Sequence, residues 1–413
     1  MTRIRLAVSI NILLWLAFST PCFSSPNIDN YVIFAINAGP QSQTTYYPLI
    51  REFERESGLR VARRSLTDMK TLDNPQNWFN EHNKPLDVII AHASRRLKHY
   101  YDSGHIYDLS KFWQHHELDK QFGNLKQNVQ HQQGIIGIPY TLSSWQIFYR
   151  RQFFKQYANE PKHIQDLLPI CQAMQKDGIT PFHIMAKAPW TAMAWFEYLT
   201  LRTYGLDTFN KLMAGDISYL DSKVDTVLTH WQRLIEANCF DERYGTMSWQ
   251  QSIPFFLRNK IGMMFISNAL LSNHSNSQIR QDLDLFTFPK IADIPRYESV
   301  PLNVFIINSN TENPNKALKL LAYLSKKQSL KAIAKGMSRL TAYQNMDVNY
   351  DPITQKIVKN IKTAAGHSGF FDREALPEFE VASRPLFIAF MRTGDKQVLM
   401  TKLEALRKKY YKK

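Results

Sequence analysis

The chain has 413 residues, which is more than one ordinary hydrophobic core supports, so two domains or lobes are expected. With 44% hydrophobic and 13% aromatic residues, the composition excludes global disorder. The formal charge of +15 would suit nucleic acid, an anionic membrane surface or acidic ligands. Lysines and arginines are scattered, however, and only the tail 407–413 is a basic cluster, as in many solvated helix ends. We therefore expect no nucleic-acid partner.

Residues 1–25 have the anatomy of a signal peptide. Arg3 and Arg5 precede the apolar stretch 6–18, which is shorter than the roughly 20 residues needed to span a bilayer. We therefore expect an exported, soluble mature protein with cleavage near the end of this segment.

Strands and helices alternate through the first part of the mature chain. Residues 31–35 predict a strand, 45–57 an amphipathic helix, and 86–91 an apolar strand of the kind buried in a parallel sheet. This alternation indicates a doubly wound α/β lobe. Because ligands meet such sheets at the carboxyl ends of the strands, the loops 38–45 and 92–95 are expected to face a ligand.

The stretch 134–151 predicts a crossing into a second lobe. Gly137 and Pro139 interrupt an apolar strand, and a second β-prone run follows. Aromatic residues at a seam between lobes are suited to a ligand cleft. Those expected near this seam are Tyr140, Trp145 and Tyr149.

The remaining pattern completes the second lobe and returns once to the first. Helices are predicted at 97–103, 111–124, 161–176, 191–203, 207–214, 223–238, 249–258, 313–325, 330–335, 352–363, 377–393 and 396–409. Strands are predicted at 178–182, 261–266 and 304–308. The predicted division is a signal peptide at 1–25, a first lobe at 26–138 plus 290–328, and a second lobe at 139–289 plus 329–413.

The common catalytic and metal-binding motifs are absent from the sequence. The sequence has no GxSxG, HExxH, GxxxxGK[ST] or strand-following GxGxxG, and no Cys/His spacing typical of zinc. Neither a catalytic residue, nor a metal, nor a cofactor is expected. Cys171 and Cys239 remain after signal removal, and the sequence leaves open whether they pair or stay as buried thiols.

Short motifs along nearly the whole mature chain resemble, in order and at similar spacing, the extracellular solute-binding proteins of ABC importers. The likeness is to their carbohydrate-binding group, which includes maltose-binding protein. The matching motifs are Phe53-Glu54, Ser57-Gly58-Leu59-Arg60-Val61, Leu86-Asp87-Val88-Ile89, Gly137-Ile138-Pro139-Tyr140, Asp177-Gly178-Ile179-Thr180-Pro181, Phe256 through Met264, and Asn313-Pro314 with Ala317. The sequence departs from the family at Ala269, where an aromatic residue usually follows the Met-rich strand.

The resemblance implies a two-lobed α/β periplasmic binding protein-like fold of type II, each lobe a doubly wound sheet flanked by helices, with an extra C-terminal helical segment. It implies a monomeric periplasmic protein that captures a mono- or oligosaccharide by hinge closure. The closed form would then deliver the sugar to an inner-membrane ABC permease. No bond is made or broken in such a cycle, so we do not expect an enzyme.

Sugar rings stack on aromatic side chains, and their hydroxyls need polar partners. We expect Trp190 to be the leading stacking residue, because it lies between a returning strand and a helix. The further aromatic candidates are Trp145, Tyr140 and Trp249. The polar candidates are Gln41, Ser42, His92 and Asn268 at strand ends, with Asp68 and Arg339 as weaker ones. The helical spacing of Trp195, Phe196 and Tyr198 favours core packing.

Two alternatives remain open. The same fold can report its ligand to a membrane sensor kinase or chemoreceptor instead of a permease, because fold does not fix function. The basic mature chain also allows an anionic sugar or phosphorylated polyol as ligand, which a cleft lined by arginine and lysine would favour.

Overall fold

The computed structural model describes residues 30–36, 40–65, 86–157, 159–243, 246–272 and 277–411. The signal peptide expected at 1–25 lies outside these ranges, as does Asp68. No helix within these ranges has both the length and the apolar composition that a membrane crossing requires.

Across the first sheet the strands follow the order 340–341, 138–142, 302–307, 88–92, 31–36 and 60–65. Its strands are β1 (Tyr31–Ile36), β2 (Arg60–Ser65), β3 (Val88–His92), β6 (Ile138–Leu142), β13 (Leu302–Ile307) and β14 (Leu340–Thr341). Strands β1, β2 and β3 are parallel, whereas β13 runs antiparallel to β3 and β6. The apolar run of β3 is buried at its first three positions, as a strand covered on both faces requires. The strands predicted at 31–35, 86–91 and 304–308 are confirmed.

Helices and short hairpins surround this first sheet. The helices are Pro40–Ser57, Arg95–Asp102, Ser110–His115, Asp119–Phe122, Lys126–Val129, Pro314–Leu324 and Lys327–Gly336, with a 3₁₀ turn at Gly123–Leu125. Strands β4 (Gln130–His131) and β5 (Gly134–Ile135) form a hairpin. The single helix predicted at 111–124 is wrong: Glu117 has a positive φ of 49°, which an α-helix cannot accommodate.

Across the second sheet the strands follow the order 263–267, 145–150 and 283–286, and both pairings are antiparallel. Its strands are β7 (Trp145–Arg150), β10 (Met263–Ser267) and β11 (Leu283–Phe286). Two short parallel pairs are formed by β8 (Phe182–His183) with β9 (Phe240–Asp241) and by β12 (Tyr297–Ser299) with β15 (Gly366–Ser368). The antiparallel central sheet therefore differs from the fully parallel pattern of a doubly wound lobe.

Helices cover the second sheet and continue to the C-terminus. They are Arg151–Phe154, Leu167–Lys176, Trp190–Thr203, Gly205–Met213, Ser222–Glu236, Trp249–Leu257, Ala269–Ser272, Ser277–Asp282, Pro352–Lys362, Phe371–Glu374, Pro377–Thr393 and Lys396–Tyr410, with a 3₁₀ turn at Ile164–Asp166. The long helix Pro377–Thr393 packs against both Trp190–Thr203 and Lys396–Tyr410. The predicted extra helical segment is thus built onto the second lobe.

Cys171 and Cys239 form a disulfide bond, with 4.9 Å between their Cα atoms. Both residues were expected on helices, but Cys239 lies beyond the end of the helix Ser222–Glu236. The bridge joins that connection to the helix Leu167–Lys176 inside the second lobe, where both cysteines are fully buried.

The chain changes sheets at three places. Strand β6 pairs with β13 in the first sheet, so the boundary expected after residue 138 cuts through a strand. The change instead occurs at Ser143 and Ser144, before β7 begins. The return occurs between β12 and β13, and the last crossing follows β14, which pairs with β6. We therefore propose lobe limits at residues 142, 301 and 341.

Candidate functional site

Polar side chains lie side by side across three strands at one edge of the first sheet. His92 ends β3 and faces Asn303 of β13, which in turn faces Thr141 of β6. The Asn303 amide Nδ2 donates to the Thr141 carbonyl at 2.9 Å and to Ser143 Oγ at 3.1 Å. These bonds hold the strand ends together next to the crossing into the second lobe.

Aromatic rings continue from this edge into the second lobe. The His92 ring contacts Phe370 at 5.8 Å between centroids, and Phe370 contacts Trp145 at 5.9 Å. Trp145 in turn contacts Trp190 at 5.6 Å, with an edge-to-face angle of 71°. We call His92, Phe370, Trp145 and Trp190 the aromatic bridge. It joins the two lobes through ring contacts.

Local structure fixes each member of the bridge. Trp145 opens β7 directly after the crossing, and Trp190 is the first residue of the helix that follows Pro189. Phe370 is held because the next backbone N–H, that of Phe371, donates to Glu197 Oε2 at 2.8 Å. Phe370 also follows Gly369, where a Cβ would lie 2.1 Å from Glu374 Oε1. A larger residue at this position would therefore displace the carboxylate end of Glu374.

Two arginines approach the bridge from opposite lobes. Arg339 lies just before β14, and its Nη1 donates to Asn303 Oδ1 at 3.4 Å. Arg373 lies in the short helix Phe371–Glu374, and its Nε is 3.7 Å from Asp372 Oδ2. Both side chains are partly buried. Burial, Arg373 and Arg339 together hold the pKa of His92 well below its usual value, so this imidazole is neutral at pH 7.

Several polar atoms around the bridge are buried and have no hydrogen-bond partner within the described ranges. They are His92 Nδ1, Thr141 Oγ1, Trp145 Nε1, Arg339 Nε and Arg373 Nε. Buried polar atoms are normally satisfied, so the unsatisfied atoms beside the bridge are available to a polar ligand or to water. The group contains hydrogen-bond donors, such as Trp145 Nε1, and atoms that can also accept, such as Thr141 Oγ1. A polyhydroxylated ligand requires both.

The lobes also meet through charged side chains beside the bridge. Arg96 of the first lobe lies 3.1 Å from Glu380 on the second, and the two side chains are only 4% and 0% exposed. Arg384 contacts the same carboxylate at 2.7 Å. The backbone N–H of Arg95 donates to Glu374 Oε2 at 3.3 Å. The structure is therefore one in which the two lobes are in contact.

Four of the residues predicted from sequence as binding residues come together here. Trp190, Trp145 and His92 belong to the aromatic bridge, and Arg339 reaches it through Asn303. Tyr140 lies below, with its ring stacked on Phe305 at 4.2 Å. Their binding roles remain predictions.

The other predicted residues are placed differently. The two amide atoms of Asn268 are used, since Oδ1 accepts from the Ser144 N–H and Nδ2 donates to the Ser338 carbonyl at 2.6 Å. Trp249 begins another helix and makes no ring contact with the bridge. Ser42 was expected in a loop but is buried in the first turn of the helix Pro40–Ser57. Gln41 shares that turn, its side chain lies outside the described part, and so does the whole of Asp68.

Sequence reasoning missed three residues of this region. Phe370 and Arg373 lie in a stretch without helical or strand periodicity, which the chain positions through the pairing of β15 with β12. Asn303 is a polar residue inside an apolar strand, LNVFII, and that interruption was the available signal. The predicted core role of Trp195, Phe196 and Tyr198 is confirmed, as all three are buried.

A separate cavity of about 430 Å³ lies away from the bridge, on the second lobe. Lys162, Lys290, Arg202 and Arg296 line it, but most of these cations already contact acidic side chains. No group of three or more His, Cys, Asp or Glu side chains suited to a metal occurs in the part of the chain that the structure describes.

The sequence model for bacterial extracellular solute-binding proteins matches residues 42–331, which is more than half of the chain. An uncharacterized ABC transporter extracellular-binding protein of Pyrococcus horikoshii is 21% identical over 287 residues, covering 68% of this chain. That alignment spans 64% of the relative's length.

Solved structures share the fold. The bacterial solute receptor AcbH, characterised for its preference for β-D-galactopyranose, superposes with a TM-score of 0.84 at 21% identity, over 92% of this chain and 97% of its own. A chitin oligosaccharide binding protein gives a TM-score of 0.80 at 17% identity, over 92% and 99%. These similarities confirm the predicted two-lobed α/β architecture.

Proposed function

The chain belongs to the bacterial extracellular solute-binding protein family, and we propose that it captures a carbohydrate between its two lobes for an ABC importer. Binding is the whole of its chemistry in this proposal, with no bond made or broken. The protein would be exported to the periplasm and would present its closed form to an inner-membrane permease.

The aromatic bridge is the observation that carries this proposal. It connects the lobes through Trp145, which is 2% exposed, and ends at the partly buried Trp190. A tryptophan that is packed on one side and open on the other offers a face for the C–H surface of a sugar ring. The open polar atoms of His92 and Thr141 would serve the hydroxyls.

Closure follows from the same geometry. A ligand that contacts His92 on the first lobe and Trp190 on the second stabilises the closed arrangement by its differential affinity for it. The buried contact between Arg96 and Glu380 adds a protein–protein term to that closure. The crossing at Ser143 and Ser144 is a short connection at which the lobes can rotate.

Relatives of similar fold support a carbohydrate as the ligand. AcbH prefers β-D-galactopyranose, and others are receptors of chitin oligosaccharides and of raffinose. Their low identity leaves the particular sugar open, so the test must cover a panel.

The test is a thermal-shift screen of the mature protein against mono- and oligosaccharides, followed by calorimetric titration of each positive sugar. A ligand at a hundredfold excess over its dissociation constant should stabilise by about 2.7 kcal/mol. We expect Trp190→Ala to weaken binding at least tenfold, which is a loss of about 1.4 kcal/mol.

Trp249→Ala is the matched control, because Trp249 also begins a helix on the second lobe and no ring contact between described residues joins it to the bridge. It should leave the affinity within about twofold. Equal losses in the two variants, or silence across the whole panel, would contradict the proposal. Release of sugar fragments by purified protein would show an enzyme instead.

A further inference from the structure

Arg339 presents a positive charge without a matching carboxylate. Within the described ranges, its guanidinium contacts two neutral groups, the amide of Asn303 at 3.4 Å and the hydroxyl of Tyr140, and its Nε is buried without a hydrogen-bond partner. A partly buried cation loses hydration and is costly unless a negative group compensates it.

Other buried arginines of the chain are compensated. Arg202 lies 2.7 Å from Glu298, and Arg96 lies 3.1 Å from Glu380. The chain therefore pairs the arginines that serve its own packing. Arg339 has no carboxylate partner among the described residues, and it lies beside the unsatisfied polar atoms of the aromatic bridge.

Arg373 brings a second guanidinium to the same place from the other lobe. Its Nε is buried without a hydrogen-bond partner, and the nearest carboxylate oxygen, of Asp372, is 3.7 Å away, beyond hydrogen-bond distance. Glu374 is the other acid nearby, and it accepts from the backbone N–H of Arg95 at 3.3 Å. Burial raises the Glu374 pKa.

We propose that the carbohydrate bound here is acidic, and that its anionic group is held between Arg339 of the first lobe and Arg373 of the second. This inference rests on the proposed function and names its substrate class. Guanidinium groups bind carboxylate and phosphate oxygens through paired N–H donors, so both are candidates for the anionic group. An anion between lobes also joins them directly, so it favours closure more than a neutral sugar does.

The experiment is calorimetric titration with matched sets of ligands that differ in one substituent. Each set contains a hexose, the corresponding hexuronate and the hexose 6-phosphate, for both galactose and glucose, with tri-galacturonate as the longer probe. We expect an acidic member to bind at least tenfold more tightly than its neutral counterpart. The uronate and phosphate arms then decide which anion is used.

Substitutions of the two arginines test where the anionic group of the ligand binds. Arg339→Met should remove the preference for the acidic ligand, with a tenfold or greater loss for that ligand and little change for the neutral one. Arg339→Lys keeps the charge without the paired donors and should recover part of the affinity. Arg373→Met should act in the same direction from the second lobe, which keeps the test decisive if one variant fails to fold.

Arg258→Met is the matched control, since Arg258 is exposed on the second lobe and its removal changes the net charge by the same amount. It should leave the preference intact. Tightest binding of neutral sugars with silent arginine variants would overturn the acidic ligand and leave the carbohydrate receptor standing. Absence of binding by every carbohydrate, neutral or acidic, would overturn both.

Discussion

Two groups of arginines in this molecule are treated in opposite ways. On the second lobe, Arg202 and Arg296 both contact Glu298, at 2.7 and 2.6 Å, and the Glu298 side chain is completely buried. Beside the aromatic bridge, Arg339 contacts the neutral amide of Asn303, and Arg373 has only a contact of 3.7 Å with Asp372, while the Nε of each is buried without a hydrogen-bond partner in the described part of the chain. The first group is compensated by a fully buried carboxylate, whereas the second has no carboxylate within hydrogen-bond distance in the described ranges.

This difference distinguishes arginines that stabilise the fold from arginines that we expect to bind a ligand. A buried ion pair contributes little net stability, but removing one partner leaves an uncompensated charge and is costly. A protein therefore keeps an open cation only where that cost is recovered in another state. For Arg339 and Arg373 we infer that this state is the complex with an acidic ligand.

The largest loss in the free energy of unfolding should come from removing the carboxylate that compensates Arg202 and Arg296. Glu298→Gln leaves Arg202, whose side chain is 5% exposed, without its carboxylate, and should lower the free energy of unfolding by about 3–5 kcal/mol. Urea denaturation at pH 7 measures it. Glu242→Gln is the control, because its pair with Arg392 is exposed and should cost no more than about 1 kcal/mol. Similar losses in both variants would mean that burial does not decide the energetics.

Glu197 is a buried acid that is neutralised by protonation instead of by an ion pair. Burial raises the pKa of Glu197 to about 8 from an ordinary 4.5. Between these values the folded protein keeps a proton that the unfolded chain has released, so stability falls as the pH rises and levels off above 8. We expect a loss of about 1–2 kcal/mol between pH 6.5 and 8.

Glu197→Gln should remove that pH dependence, because glutamine stays neutral and can still accept from the Phe371 N–H. Denaturation curves of both proteins across this interval give the comparison. The interval avoids His92 and His183, whose lowered pKa values make stability fall only as the pH drops below about 6.5. Parallel pH profiles for the two proteins would show that Glu197 is ionised when folded.

The smallest effect should come from the open group. Without ligand, Arg339→Met should leave the free energy of unfolding unchanged or raise it by up to about 1 kcal/mol, since it removes a charge that nothing compensates. Thermal and urea denaturation of the ligand-free protein measure it. A loss of several kcal/mol, like that expected for Glu298→Gln, would place Arg339 among the structural arginines.

Local signals in the sequence were enough for much of the fold. The apolar run at β3 and the Pro314 helix start were predicted because each depends on a few adjacent residues. The crossing was expected at Pro139 but occurs at Ser143 and Ser144, because the strand continues through the proline in a sheet pairing that only tertiary structure shows.

Fewer residues of the candidate site could be predicted from the sequence. Trp190 and His92 could be selected because they lie at a helix start and a strand end. Phe370 and Arg373 could not, since the pairing of distant strands positions them. The sequence likewise could not show that the amide of Asn268 is fully used by the Ser144 and Ser338 backbones.

The most direct test of the account is a crystal structure of the mature protein with the carbohydrate that binds most tightly in the titrations. We predict a sugar ring against Trp190 with an anionic oxygen within hydrogen-bond distance of Arg339. A ligand seated instead in the cavity lined by Lys162 and Lys290, or one that leaves the aromatic bridge uncontacted, would contradict it.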